Sequence, residues 1–114
     1  MKTITITITI ALCDSLKPSQ MIDFSAIVSD FSNRTGIAVE DILGSSRKME
    51  VVAARHLLWH LLSDKTGASY TRIGKHFGRK HPAVIHGVKS VRSKLEIDDK
   101  IVGALWELVE DMEV

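Results

Sequence analysis

Ile73-Gly74-Lys75-His76-Phe77-Gly78-Arg79-Lys80-His81-Pro82-Ala83-Val84-Ile85-His86-Gly87 is the stretch on which the reading of this chain turns. A short amphipathic segment stops at Phe77-Gly78. A basic triplet, Arg79-Lys80-His81, follows, and a second amphipathic segment opens at Pro82. Two helices joined by a tight glycine turn read as a helix-turn-helix, whose second helix is free to enter a major groove. Pro82 falls in the first turn of that helix, where a missing N–H costs little.

Outward from this centre the chain remains helical. Val84, Ile85, Val88, Val91 and Leu95 recur at helical spacing and predict a helix over about 82–95. Upstream, Ser69 is a natural N-cap for a helix ending near Phe77. A long helix is expected from about Arg47 to Asp64, with Val51, Ala54, Leu58, Leu61 and Leu62 on its apolar face. Ser45 or Ser46 would cap it and Thr66-Gly67 would stop it. Residues 38–43 predict a short helical turn before Gly44. Met21, Phe24, Ile27, Val28 and Phe31 stripe a helix over about 19–34, with Gly36 as its stop. The last helix, about 98–111, carries Ile101, Leu105, Trp106, Leu108 and Val109, with Asp98 and Asp99 at its positive end. The expected body, residues 19–114, is therefore an all-α bundle of five to six helices. Residues 1–18 are set apart as an arm and linker. There Thr and Ile alternate four times over residues 3–10, the period of a strand with Ile4, Ile6, Ile8 and Ile10 on one face. A lone strand needs a partner, and the chain offers no second one. The simplest partner is the same strand of a second copy, giving a homodimer through Thr3–Ile10.

Charge is sharply segregated. The formal net charge is only +1. Residues 47–95, however, hold eleven Lys and Arg against Glu50 and Asp64, and all five histidines. The flanking stretches are both acidic. A basic middle between acidic ends marks a polyanion-binding face, not a generally basic protein. Arg79 and His81 have the chemistry to read base edges. Lys75, Lys89, Arg92 and Lys94 suit phosphates.

These residues carry a family resemblance. Residues 37–95 resemble the C-terminal, origin-box-binding domain of the bacterial replication initiators of the DnaA family. That family's signature is similar to Ile-Gly-x-x-Phe-Gly-Gly-Arg-Asp-His-Thr-Thr-Val-x-His-Ala, preceded by a Leu-Leu-Ser turn, a basic loop and a long helix with an Arg-Gln pair. Here stand Ile42-Leu43-Gly44, Arg47, Arg55-His56 and the run from Ile73 to Gly87. The resemblance implies that Arg47 reaches a minor groove and Arg55 meets a phosphate. His56 takes the place of the Gln. Arg79, Lys80, His81, Pro82 and Ala83 stand for Arg-Asp-His-Thr-Thr, and His86 follows the pattern. The departures are informative. One glycine of the pair is missing, which should tighten the turn. Lys80 replaces an acid, and Pro82 and Ala83 replace two hydroxyl residues. Exchanging an acceptor for a cation favours phosphate or guanine over cytosine. The scaffold is implied, but the family's own sequence preference is not.

Other chemistry finds little footing. Gly74-Lys75 is followed by His76, not Ser or Thr, so no phosphate loop and no nucleotide site is expected, and the initiator's ATPase module is missing from these residues. His56 and His60 stand four apart, but no third ligand lies nearby, so neither a metal nor another cofactor is expected. Cys13 is the only cysteine, which excludes an intrachain disulfide and fits a reducing, cytoplasmic, nucleoid-associated setting. No membrane span or signal peptide is legible. No paired carboxylates or nucleophile–base set points to an enzyme. The expectation is sequence-selective binding of double-stranded DNA, in an accessory or regulatory role. The alternative is a protein-interaction module that kept the fold and lost specific DNA reading, for which the changes at Lys80, Pro82 and Ala83 speak.

Overall fold

A computed structural model describes residues 23–112, and these form six α-helices. Helix α1 spans Phe24–Thr35, α2 Val39–Leu43 and α3 Met49–Leu61. The chain continues from α3 through a π-helical turn, Leu62–Thr66. Then follow α4, Tyr70–Phe77, α5, His81–Glu96, and α6, Lys100–Val109. No strand occurs among the described residues. The expected strand at Thr3–Ile10, the arm and linker of residues 1–18, and Met21 all lie outside them.

The caps show why the helices sit where they do. Asp23 starts α1 by accepting the Ala26 N–H at 3.1 Å. Ser69 caps α4 through the Arg72 N–H at 3.1 Å, as its sequence position predicts. Asp99 caps α6 through Val102 N–H at 3.1 Å. The start of α3 departs from expectation. It begins at Met49, not Arg47, and its N-cap is Lys48, which makes no side-chain capping bond. Ser46 accepts only the Lys48 N–H, at 3.4 Å, and stays in the loop. That loop is held from inside by arginine side chains, described below, and their pull outweighs the capping preference of the serines.

Helix α3 is the axis of the bundle and lies against α2, α5 and α6. Val51, Ala53, Ala54, Leu57, Leu58, Trp59 and Leu61 are all buried, so the helix is enclosed on most sides. Phe31 of α1, Ile42 of α2, Ile73 and Phe77 of α4, and Val84, Val88 and Val91 of α5 close around it. Each fully buried side chain of this size contributes about 1.5–3 kcal/mol of burial free energy. Trp59 belongs to this core, whereas Trp106 is half-buried at its edge. Ile85 and Leu95, expected inward on α5, are only half-buried. Val102, Leu105, Val109 and Met112 add the last wall. The Lys65 ammonium ties the end of that wall down, donating to the carbonyls of Glu110 at 2.6 Å and Met112 at 3.1 Å. A cation at a helix C-terminus satisfies orphan carbonyls and complements the dipole. None of the described helices is long and apolar enough to cross a membrane.

Candidate nucleic-acid interface

Helices α4 and α5 make the helix-turn-helix. Gly78 turns the chain at φ +67°, a conformation that L side chains avoid. The N–H groups of Gly78 and Arg79 both donate to the Gly74 carbonyl. This wraps the C-terminus of α4 so closely that a Cβ on Gly74 would collide with the Arg79 carbonyl oxygen. Only residues 78–80 separate the two helices. The turn is tight without the second glycine.

The outward stripe of α5 is Pro82, His86 and Lys89, all exposed at helical spacing, with Ala83 beside them. His81 opens the helix, exposed, with its ring 6.1 Å from that of Tyr70. Lys80 is the N-cap, exposed and without a capping bond. Arg47 and Lys48 are exposed on the loop before α3, and Lys75 is exposed on the last turn of α4. Lys48 escaped the sequence reading, although its adjacency to Arg47 was a signal. Both α3 and α5 thus begin with a lysine at the positive end of the helix dipole, which makes each start a strongly electropositive spot.

Two expected contacts point elsewhere. Arg55 is only 5% exposed. Its Nε donates to the Ile42 carbonyl at 2.9 Å. Its Nη2 donates to the carbonyls of Asp41 at 2.9 Å and Ser46 at 3.2 Å. It therefore caps the C-terminus of the short helix α2 and gathers the loop behind it. Arg79 is half-buried, with Nη2 on the Gly44 carbonyl at 2.6 Å and Nη1 on the Phe77 carbonyl at 3.2 Å. The two guanidinium groups are close enough that the Arg79 charge, after burial, lowers the Arg55 pKa. Neither has a carboxylate partner among the described residues, whose salt bridges join Arg34 to Asp30 and Asp111.

The histidines divide. His56 is half-buried, with its ring 5.3 Å from Trp59 and 6.5 Å from His86. Burial pushes its pKa down to about 4, helped by His86, Lys94 and Arg55. It is neutral at pH 7 and offers hydrogen bonds, not charge. His60 is also held below its ordinary pKa, by burial and then by Arg92, against the opposing pull of Asp64. Its Nδ1 accepts the Nε–H of exposed Arg92 at 3.3 Å, leaving the outer nitrogens of that guanidinium free.

Comparison with known proteins agrees with this geometry. Residues 24–91 match the family described as the bacterial dnaA protein helix-turn-helix. The chain is 34% identical over 102 residues to the chromosomal replication initiator protein DnaA of Thermus thermophilus, covering 88% of this chain and 23% of that protein. It is 31% identical over 83 residues to chromosomal replication initiator protein DnaA 2 of Protochlamydia amoebophila, covering 73% and 18%. It is 36% identical over 76 residues to DnaA 1 of Chlamydia trachomatis, covering 67% and 17%. The chain spans about a fifth of the length of the curated relatives it matches.

Proposed function

This chain belongs to the bacterial DnaA helix-turn-helix family, and from that premise we propose that it binds double-stranded DNA in a sequence-selective way, as an accessory or regulatory domain without ATPase chemistry of its own. One observation carries the reading. The exposed side chains of the loop before α3 and of the start and outward stripe of α5, Pro82 and Ala83 apart, are cationic or hydrogen-bonding, and the Arg79–Gly44 bond joins the loop to the turn before α5. In this reading the N-terminal end of α5 enters the major groove, with Lys80, His81, Pro82, Ala83 and His86 toward base edges. Arg47 reaches the adjacent minor groove, and Lys48, Lys75, Lys89 and Arg92 meet phosphates. Arg55 and His56 support this surface from behind. Two such domains joined through Thr3–Ile10 would favour paired half-sites.

The test is a titration of labelled random-sequence duplex against salt, with an origin-box duplex as competitor. About five phosphate contacts imply a log–log slope near −4 to −5. A slope near zero would remove the DNA-binding reading and favour the protein-interaction module. Light scattering of the full chain and of one starting at Leu12 tests the dimer, which the truncation should abolish.

A further inference from the structure

We infer that Arg79 acts as a positioning residue that locks the Arg47-bearing loop to the start of α5, so that the two DNA-contacting elements are set against each other as one unit. The inference rests on the DNA-binding reading above and assigns Arg79 a part different from base reading. Its sequence position, directly before the groove-entering helix, invites the opposite conclusion.

The geometry is specific. The Arg79 backbone belongs to the turn, where its N–H donates to Gly74 at 2.8 Å. Its side chain leaves the turn, crosses to the other element and donates to Gly44 at 2.6 Å, keeping its second nitrogen on Phe77 at 3.2 Å. Both ends of the guanidinium fork are thereby engaged within the protein. From the other side Arg55 takes the carbonyls of Asp41, Ile42 and Ser46. The carbonyls of residues 41, 42, 44 and 46 are thus all held by two arginines on different helices or turns. Arg47 and Lys48 follow immediately. A planar five-donor fork holds two carbonyls at a fixed separation and direction, whereas an ammonium must bring both to a single nitrogen. Paired hydrogen bonds from a half-buried fork fix orientation, and a contact residue on a loop loses much of its value when the loop wanders.

The test is a double-mutant cycle on DNA binding with the full chain, crossing Arg79→Ala with Arg47→Ala. The probes are a random-sequence duplex pool and a duplex enriched from it by the wild type. Arg47→Ala should reduce the salt slope by about one. Arg79→Ala should reduce it by a similar amount, and the double variant should lose little more, because the Arg47 contact is already gone. Amide exchange over residues 45–48 should quicken in Arg79→Ala while that of α3 stays protected. Arg79→Lys should retain part of the coupling, since an ammonium carries its three donors on one atom and cannot reproduce the two separated nitrogens that reach Gly44 and Phe77. It also carries the cycle if Arg79→Ala does not fold. Additive losses, or relaxed preference at a single base pair with the Arg47 contribution to the slope intact, would overturn the inference and make Arg79 a direct reader. If the wild type shows no salt-dependent binding, the DNA-binding reading fails by itself. The exchange measurement then still decides the lock, and unchanged loop exchange in Arg79→Ala would refute it.

Discussion

Removing the Arg55 side chain should unfold more than it unbinds. The guanidinium makes three hydrogen bonds to carbonyls, and a bond from a charged donor contributes about 1.5–3 kcal/mol net. Against that stands the desolvation of a cation that is 5% exposed, several kcal/mol in magnitude. Truncation also lets water reach the Asp41 and Ser46 carbonyls, which border exposed surface, though not the one on buried Ile42. Stripping one partner from a buried charged network costs about 3–5 kcal/mol, and partial resolvation lowers that, so Arg55→Ala should destabilise by about 2–4 kcal/mol. Urea unfolding followed by circular dichroism measures this as a lower midpoint at unchanged slope. Lys75→Ala, at an exposed cation, should stay within about 0.5 kcal/mol of the parent. For those Arg55→Ala molecules that remain folded, the salt slope of DNA binding should change through the loop and not through a lost phosphate contact of Arg55 itself. The reasoning is refuted if Arg55→Ala matches the parent in stability and still removes one unit of slope. Such a result would mean that Arg55 swings out to the DNA.

His56 makes stability depend on pH. Its folded pKa of about 4 lies below the ordinary 6.5, so the unfolded state binds the extra proton between these values and stability rises with pH across that window. The ceiling is about 3 kcal/mol, reduced by solvent screening of a half-buried ring, and His56→Gln should flatten the profile in a pH series of urea melts. At Gly87 a Cβ would stand 2.7 Å from both His56 Cδ2 and Trp59 Cε3. Overpacking there costs about 1–3 kcal/mol against about 1 kcal/mol of helix propensity gained. Gly87→Ala should therefore destabilise modestly and Gly87→Val severely, and a stabilised Gly87→Ala in a thermal melt would show that α3 and α5 separate cheaply. Lys65→Met should fray the end of α6 at a cost of about 0.5–1.5 kcal/mol, visible as faster amide exchange there and nowhere else.

Much of this architecture is legible in the sequence, and the parts that are not share a cause. The helix-turn-helix is legible because Gly78 and Pro82 act through their own backbone and the Ser69 hydroxyl caps a group three residues on. The stops at Gly36 and Gly67 are local in the same way. The roles of Arg55 and Arg79 were not legible, because a formal charge says nothing about which way five donors point. Most of their carbonyl partners lie 9 to 35 residues away, on a five-residue helix and the loop after it, whose position is a tertiary fact. The family resemblance puts Arg55 at the DNA, and the chemistry and position of Arg79 put it there too; only the packing shows both turned toward the loop. The start of α3 was misplaced because Ser45 and Ser46 cap well in isolation, whereas the arginines hold that backbone elsewhere. Lys48 was overlooked because lysine is seldom an N-cap.

The N-cap lysines of α3 and α5 set heat resistance against binding. At the starts of α3 and α5 the chain puts a cation where a carboxylate or hydroxyl would serve the helix best. Replacing Lys48 and Lys80 with aspartate should raise the melting temperature, since each gains a cap and loses a repulsion. Selection for thermostability alone would be expected to find these changes early. It would at the same time erase the electropositive spots on which the proposed binding depends, so a library screened only for heat resistance should drift toward stable molecules that no longer bind. Sulfate in place of chloride should raise the melting temperature of the parent more than that of the double aspartate variant, because in the parent an anion supplies what the sequence withholds.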